Sequence, residues 1–471
     1  MAMEHSSPAS VGIDPAAIVR LADAIDTKGL GVHGLVVARH GRVVAQGWWH
    51  PYRPDEPHMM FSVSKAFTSM AVGLAIDEGL LALDEPTHAI FPEFREIPGQ
   101  TVRHLLTMTS GHPDDLWGVL RALPERDGLE LFFESPVTHA PGTHFVYSTA
   151  CTYVLAAAVV RRAGVSLTGY LDERLFGPLG WSTPHWERDA RGIEHGGTGL
   201  KLTTRQLAQF GQLLLQRGSW EGRQLVPAHW VDEASASQTR NPWFESHESR
   251  IGYGYQLWRS SHGFRADGMC GQFAVVVPEL ELVVATTSGA ADANRILEAI
   301  WSELLPGVAA GFRPSDEPDG DVHELAGRRV PEPRVDERDD AAEASLAGRV
   351  FELPANESGV ERISLAFDDD AITFELVGAD GAQRIAAGRR EWLPGRTASP
   401  LESLPEVPCA ARAGWVRGVL ELHLQLTGTP FRWVWRLEPN SPEGPRLTAA
   451  FAPDLGLRSR EDLLLTPGQQ G

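Results

Sequence analysis

Apolar residues recur at helical spacing in several stretches of the first three hundred residues. The clearest run begins at Ser62 and stops before Gly79, and its apolar face is formed by Phe67, Met70, Ala71 and Leu74. The same spacing predicts further helices over residues 14–27, 102–110, 153–160, 203–218 and 294–304. Ser62 therefore lies at the N-terminal end of a predicted helix, where backbone N–H groups are free to stabilise negative charge.

Short apolar runs predict strands on both sides of these helices. The expected strands are residues 35–38, 42–48, 273–277 and 282–287. The first two form a hairpin that turns at His40-Gly41, before the serine. A glycine-bordered segment over residues 266–272 leads into the last two, and such glycines let a ligand approach the backbone closely.

The composition changes after residue 306. Pro, Asp, Glu, Arg and Gly dominate up to about residue 344, which indicates a linker over residues 307–343. Beyond it the pattern alternates with period two, most clearly over residues 372–377, 416–426 and 431–437. We therefore predict a first domain over residues 1–306 and a small antiparallel β domain over residues 344–471.

The bulk composition argues against several classes of partner. A formal charge of −20 disfavours binding to nucleic acid or to an anionic membrane, because both require clustered lysine and arginine. No run of about 20 apolar residues is present to span a bilayer, and the N-terminus lacks the pattern of a secretory signal. We expect a soluble, cytoplasmic protein with a small-molecule ligand. A chain that had lost its leader would look the same.

The cysteines and glycines carry no cofactor motif. Cys151, Cys270 and Cys409 are odd in number and far apart, which is typical of reduced thiols. Neither H-E-x-x-H nor a Cys/His cluster appears. Residues 29–34 match the dinucleotide fingerprint in letters, but they follow a predicted helix and lead into a strand, the reverse of what that fingerprint requires. We expect no metal and no cofactor.

The strongest chemical signal is a serine three residues before a lysine. Ser62 and Lys65 lie one helical turn apart and so share a face. The chain has only three lysines. A buried lysine, unlike an arginine, can lose its proton and accept one from a hydroxyl. Chance also produces such pairs, so this one needs partners elsewhere in the chain.

Two further segments complete a recognisable order. Residues 141–148 read Pro-Gly-Thr-His-Phe-Val-Tyr-Ser before a helix, and the glycine-bordered strand near residue 270 follows. With Ser62-Val63-Ser64-Lys65 at the head of a helix, this order resembles the superfamily of serine β-lactamases, penicillin-binding proteins and related esterases, particularly the class C branch. Residues 105–112 and 210–215 add to the resemblance, which covers about residues 10–305.

The resemblance implies a fold and a set of roles. The fold would be α+β, an α/β sandwich whose antiparallel sheet is flanked by helices with a helical subdomain, and the C-terminal all-β domain lies outside it. Ser62 would be the acylating nucleophile, with Lys65 as its general base. Tyr147, first residue of the family's Y-x-N motif, would share proton transfer. The backbone N–H groups of Ser62 and Met269 would bind the oxyanion.

Two positions depart from the family pattern. Thr149 stands where the Y-x-N motif has an amide, and Ala266 stands where relatives carry lysine, histidine or tryptophan. These two residues, with Gly268 and Gln272, are the expected substrate contacts. We therefore expect an esterase that cleaves a small ester or amide, with a D-amino-acid peptidase or a weak β-lactamase as alternatives. A non-catalytic sensor is the alternative from another class, and the oligomeric state is left open.

Overall fold

The chain forms two compact units. A computed structural model describes residues 3–244, 246–309, 325–332, 338–356, 359–379, 381–398, 406–442, 444–453 and 461–467. The first unit comprises Met1–Trp48, Pro57–Ser288 and Asp292–Ala326, and the second comprises Trp49–Glu56, Gly289–Ala291 and Gly327–Gly471. Two short segments that the sequence placed in the first domain, 49–56 and 289–291, therefore belong to the second unit.

The first unit combines helices with one main sheet. Its helices are α1 (Pro15–Thr27), α2 (Ser64–Asp77), α3 (Thr87–Ile90), α4 (Val102–Leu106), α5 (Trp117–Ala122), α6 (Gly128–Glu134), α7 (Thr149–Ala163), α8 (Leu167–Leu171), α9 (Thr204–Leu215), α10 (Ala228–Ser235), α11 (His247–Arg250), α12 (Asn294–Ala299) and α13 (Leu305–Ala309). Its strands are β1 (Val32–Arg39), β2 (Arg42–Trp48), β3 (His58–Met59), β4 (Lys201–Leu202), β5 (Ser219–Trp220), β6 (Arg223–Gln224), β7 (Trp258–Arg259), β8 (Phe264–Gly268), β9 (Gln272–Val277) and β10 (Leu282–Ser288).

The main sheet joins segments from both ends of the unit. Its strand order is β2-β1-β10-β9-β8-β7, and every neighbouring pair is antiparallel. The two hairpins predicted from the sequence meet at β1 and β10, where Val36 lies opposite Ala285. Helix α9 packs closely on this sheet, because a Cβ at Gly211 would come within 2.7 Å of the Val283 side chain. Because β9 pairs with both β10 and β8, the sheet also places β8 next to helix α2, which follows the serine.

Helix α2 runs through the apolar core of the first unit. All of its residues from Ser64 to Ala75 are buried, so packing holds it from every side. Phe67 stacks on Phe210 of α9 with ring centroids 3.9 Å apart. Gly73 lets the Trp230 indole approach, since a Cβ there would come within 2.4 Å of the ring. This packing fixes the N-terminal end of α2, next to Ser62.

The second unit is built almost entirely of strands. Its elements are α14 (Asp340–Leu346), β11 (Val350–Glu352), β12 (Val360–Phe367), β13 (Ala371–Gly378), β14 (Gly381–Gly388), β15 (Leu393–Thr397), β16 (Val407–Val416), β17 (Val419–Gln425), β18 (Arg432–Glu438), β19 (Arg446–Ala452), β20 (Glu461–Leu464) and β21 (Thr466–Pro467). The strand order is β20-β19-β18-β17-β16-β14-β13-β12-β11-β21, with β15 paired to β16.

The sheet of the second unit closes on itself. Strands β20 and β21 are separated in the chain by Leu465 alone. Nevertheless β20 pairs with β19 at one end of the strand order, and β21 pairs with β11 at the other. One short segment therefore joins both edges, and the strands enclose an interior. Closure of this kind removes the exposed edges that invite aggregation.

The structure confirms the predicted α+β fold with a C-terminal β domain, and it corrects several details. The residues near Trp117 form α5, a short helix that the apolar spacing did not predict. The helix expected over residues 153–160 begins earlier, at Thr149. The predicted linker is bounded by α13, which continues to Ala309, and by α14, which begins at Asp340. Residues 310–324 and 333–337 of that linker lie outside the described residues.

None of the described helices alone is long and apolar enough to cross a bilayer. The helices Thr149–Ala163 and Leu167–Phe176 together have the length and composition to do so, as a pair bent by 72°.

The packing of α2 generates a stability prediction. Replacing Phe67 by Ala removes the ring that stacks on Phe210 and leaves a cavity, so we expect a loss of about 3–5 kcal/mol in the free energy of unfolding. Urea unfolding followed by tryptophan fluorescence measures it. Val165→Ala, at a side chain that is 49% exposed, is the control and should change stability by less than about 0.5 kcal/mol. A loss below about 1 kcal/mol for Phe67→Ala would contradict the central role of α2.

Candidate active site

Ser62 lies on a tight turn that leads into the buried helix. Residues Phe61–Val63 form one turn of 3-10 helix, and α2 starts at the next residue. Phe61 has φ 46°, in the left-handed region that bulky side chains rarely adopt. The Ser64 hydroxyl holds the turn by donating to the Phe61 carbonyl at 2.6 Å. Backbone strain of this kind is concentrated at functional sites.

Lys65 makes three hydrogen bonds below the serine. Its Nζ lies 3.0 Å from Ser62 Oγ, 3.0 Å from Thr149 Oγ1 and 2.9 Å from the Gly197 carbonyl oxygen. These partners come from three separate segments of the chain. The Lys65 side chain is only 1% exposed. The amine is therefore fixed in position, and the predicted pairing of Ser62 with Lys65 is present in the structure.

The surroundings of Lys65 make it a possible base. Burial lowers the pKa of Lys65 to about 7, since an ammonium group is costly to remove from water. The charges of Asp115 and Asp267 oppose this effect and raise the pKa. A substantial fraction of Lys65 is therefore the neutral amine at neutral pH. In that form it can accept a proton from the adjacent hydroxyl.

Tyr147 completes the group around the serine. The side chains of Ser62 and Trp258 act on its hydroxyl to lower its pKa. Lys65 Nζ lies 4.9 Å from the centre of the Tyr147 ring, and the Trp258 ring centroid is 5.3 Å away. Burial has the larger effect and raises the pKa of Tyr147 well above its usual value. Tyr147 is thus a neutral phenol, whereas Lys65 is the group whose proton affinity suits a base.

Thr149 stands on the far side of the Lys65 amine. It is the first residue of α7, whose N-terminus is capped by the Ser148 hydroxyl on the Cys151 N–H at 3.4 Å. The Thr149 hydroxyl accepts the hydrogen bond from Lys65. A Cβ at Gly197 would approach the Thr149 side chain within 2.8 Å, so a glycine lets the carbonyl reach the lysine. Thr149 thereby supports the lysine rather than offering an amide to a ligand.

Strand β8 ends against the turn that carries the serine. A Cβ at Gly268 would meet the Met60 carbonyl oxygen at 2.3 Å, so only glycine permits this approach. Met269 follows directly and its side chain is 42% exposed. The Gly271 N–H donates to the Gly268 carbonyl at 3.1 Å, which closes a turn at this end of the strand. Met269 follows Gly268 directly, and Ser62 lies two residues after Met60. Both expected oxyanion residues are therefore next to the contact between Gly268 and the Met60 carbonyl.

The two remaining predicted substrate contacts lie within the sheet. Ala266 is 1% exposed and pairs with Ala274 of β9, so its side chain adds no polar group to the site. Gln272 is fully buried, and its amide donates to the carbonyls of Met269 at 3.0 Å and Ser288 at 2.7 Å. Its oxygen accepts from the Ser288 N–H at 3.1 Å. These hydrogen bonds hold the turn that contains Met269. They also occupy both polar atoms of the Gln272 side chain, so Gln272 has no exposed polar group.

Two carboxylates near the lysine were not singled out from the sequence. Asp115 accepts from the Ser148 hydroxyl at 3.0 Å and from the Trp117 N–H at 3.1 Å. Asp267 is bound by the buried Arg265, whose Nε lies 2.7 Å from its Oδ2. Burial raises the pKa of Asp267, and the Arg265 charge opposes that rise. The alternation of Arg265 and Asp267 beside Gly268 was a signal that could have identified the second of them.

A separate cavity lies in the first unit. It has a volume of about 260 Å³, and its walls include Trp117, Tyr153 and His195. The rings of Trp117 and His195 meet edge to face, with centroids 4.9 Å apart. Its described lining residues do not include Ser62, Lys65 or Tyr147, so it is not assigned to the serine site. Within the described residues, no group of three or more His, Cys, Asp or Glu side chains is arranged to hold a metal ion.

The chain is similar in sequence to two curated hydrolases. Esterase EstB from Burkholderia gladioli is 32% identical over 207 residues, covering 37% of this chain and 53% of the esterase. The chain therefore spans about half the length of that relative. A 6-aminohexanoate-dimer hydrolase from Paenarthrobacter ureafaciens is 26% identical over 306 residues, covering 58% of this chain and 76% of the hydrolase.

The fold has counterparts among solved structures. A penicillin-binding protein homologue from Caulobacter crescentus superposes with a TM-score of 0.50 at 20% identity, covering 62% of this chain and 97% of that one. Residues 20–301 match the family described as Beta-lactamase. The match spans more than half of the chain and includes Ser62, Lys65 and Tyr147, so the protein belongs to the beta-lactamase family.

Proposed function

We propose that this protein is a serine hydrolase that cleaves small carboxylic esters or amides through an acyl-enzyme on Ser62. The observation that carries the proposal is the buried Lys65 amine, 3.0 Å from Ser62 Oγ, with its pKa lowered to about 7. A hydroxyl needs such a base to become an effective nucleophile. The names of two relatives, an esterase and a 6-aminohexanoate-dimer hydrolase, support the same class of substrate.

The side chains divide the proton transfers between them. Neutral Lys65 takes the proton of Ser62 as Oγ bonds to the substrate carbonyl carbon. The Tyr147 phenol, protonated because burial raises its pKa, donates its proton to the leaving oxygen or nitrogen and regains one from Lys65. Expulsion of the leaving group yields the acyl ester on Ser62, and water then attacks that ester with the same groups as base and acid.

The carbonyl oxygen becomes negative during attack and requires donors. In the proposal these are the backbone N–H groups of Ser62 and Met269, brought close by the contact between Gly268 and the Met60 carbonyl. Gln272 keeps the turn at Met269 in place through its contacts with Ser288. Such donors act without reorganisation, since the backbone that carries them is already fixed.

The polar groups that would choose a β-lactam or peptide are altered. Thr149 uses its hydroxyl on Lys65, and Ala266 is an apolar residue within the sheet. Amides also have poorer leaving groups than esters, so an amide gains more from such contacts. We therefore place esters ahead of D-amino-acid amides and cephalosporins in the expected order of turnover.

Removal of the nucleophile tests the proposal directly. Ser62→Ala should lower hydrolysis of p-nitrophenyl butyrate by about 1,000-fold or more and abolish labelling by a fluorophosphonate probe. Ser69→Ala is the matched control, because Ser69 lies on the same helix and its buried hydroxyl has no hydrogen-bond partner among the described residues. The control should keep its activity.

The same assay separates the alternatives. Wild-type protein is compared on the ester, a D-amino-acid p-nitroanilide and a chromogenic cephalosporin. Full activity in Ser62→Ala would refute the assigned nucleophile. Stoichiometric labelling of Ser62 with no turnover of any of the three would instead identify a non-catalytic sensor.

The pKa of Lys65 predicts a pH profile. The neutral fraction of an amine grows with pH up to its pKa, so the rate of Ser62 acylation should rise about tenfold per pH unit below pH 7 and level off above it. Asp115 raises the pKa of Lys65, and Asp115→Asn removes that charge but keeps an acceptor oxygen for Ser148. Its midpoint should therefore move to lower pH. Stopped-flow measurement of acylation follows both profiles, and a midpoint that moves upward would contradict the assignment.

The close approach at Gly268 predicts sensitivity to a single methyl group. Gly268→Ala places a carbon 2.3 Å from the Met60 carbonyl oxygen, so β8 or the serine turn must shift. We expect the acylation rate to fall by about tenfold or more. Gly395→Ala is the control, since that strand glycine has only an ordinary 3.5 Å neighbour, Cys409 Sγ. Unchanged acylation in Gly268→Ala would separate this contact from catalysis, and thermal unfolding of both variants identifies any loss of folded protein.

A further inference from the structure

The closed sheet of the second unit encloses a cavity that the proposed hydrolysis does not use. Its volume is about 290 Å³, near the lower end of the ~300–1,000 Å³ typical of small-molecule sites. Its walls are mainly apolar and include Val360, Leu376, Ile385, Leu424, Trp433 and Trp435. A packed barrel would fill this space with side chains, so its persistence requires an explanation.

The strand register explains how the walls are formed. Trp433 and Trp435 are two residues apart on β18 and so share a face, with Leu424 of β17 opposite the first. Gln383 and Ile385 are likewise two residues apart on β14. Gln383 thus stands among inward-facing apolar side chains. A polar residue in such a position is informative, because glutamine is mostly found at the surface.

One buried hydrogen-bond donor on these walls has no acceptor among the described residues. Trp435 is 7% exposed, and its buried Nε1 has no partner there. The half-buried Gln383 differs, because its Oε1 accepts from the Ala398 N–H at 3.2 Å and from the Thr397 hydroxyl at 3.0 Å. Buried donors are normally satisfied, so Trp435 Nε1 points to a ligand with an acceptor.

The charge of the walls limits the chemistry of that ligand. No Lys, Arg, Asp or Glu is present among the described residues that line the cavity. A charged ligand would lose its hydration without compensation. The indole faces of Trp433 and Trp435 suit an aromatic or aliphatic body instead. A carbonyl oxygen is a neutral acceptor that the Trp435 donor can satisfy.

We propose that this cavity binds a neutral, mainly apolar carbonyl compound, a ketone or ester of aryl or alkyl type, whose oxygen accepts a hydrogen bond from Trp435 Nε1. The binding is noncovalent and is independent of acylation at Ser62. This proposal can therefore be tested separately from the proposed hydrolysis.

Two matched probes test the proposal on the full chain carrying Ser62→Ala, which prevents turnover. 2-Acetonaphthone has a carbonyl group, whereas 2-ethylnaphthalene has the same rings and nearly the same size without an acceptor. Equilibrium dialysis should show one ketone per chain, bound about 3- to 10-fold more tightly than the hydrocarbon. Equal affinity for the two probes, or no binding of either, would overturn the proposal.

Indole variants identify the donor. Trp435→Phe should reduce ketone affinity to that of the hydrocarbon. Trp392→Phe is the matched control, because the Trp392 Nε1 is also buried without a partner but Trp392 does not line the cavity. It should leave the preference for the ketone unchanged. A preference that survives Trp435→Phe, or that is lost equally in both variants, would refute the role of Trp435.

A further variant keeps the test decisive if Trp435→Phe does not fold. Leu424→Trp fills the cavity and should abolish binding of both probes. Circular dichroism verifies that each variant is folded. Ketone binding that persists at one equivalent in folded Leu424→Trp would place the site elsewhere and overturn the proposal.

Discussion

The burial of one amine organises the first unit. Moving the pKa of Lys65 from 10.5 to about 7 means that the charged form is disfavoured by roughly 5 kcal/mol. The fold offsets part of that cost with three hydrogen-bond partners from three segments, Ser62, Thr149 and Gly197. The turn before α2, the start of α7 and the glycine-rich loop must therefore meet at one point. Their meeting holds the nucleophile and its base together.

The hydrogen bonds of Lys65 explain what changes when Thr149 replaces the amide residue of the Y-x-N motif. A threonine hydroxyl accepts from the lysine as well as an amide oxygen would, but it has no NH2 group to donate to a ligand. The lysine keeps its partner, and substrate recognition loses one. Ala266 likewise affects substrate recognition but not the position of Gly268, because the sheet pairing that holds Gly268 is made by backbone atoms. The groups that activate the serine are thus separable from the groups that select its substrate.

Short-range sequence patterns predicted much of the active site. Contacts between segments that are distant in the chain could not be predicted in this way. The sequence was sufficient to identify Ser62, Lys65 and Tyr147, because motif spacing and motif order can be read directly from it. The third partner of the lysine was missed, because the Gly197 contact uses a backbone carbonyl and no side chain marks it. Closure of the second unit was missed for a related reason. The two short strands on either side of Leu465 show no periodicity, and β11, the partner of β21, lies at the opposite end of the domain sequence.

One rule about buried polar groups distinguishes the two units. Lys65 is buried with three hydrogen-bond partners around its nitrogen, so that site is complete before a substrate arrives. Trp435 Nε1 is also removed from water, yet the described residues supply no acceptor for it. An unsatisfied donor beside an empty apolar space is less stable than one that meets a carbonyl oxygen. The first arrangement is suited to chemistry on a passing substrate, and the second to retention of a bound molecule.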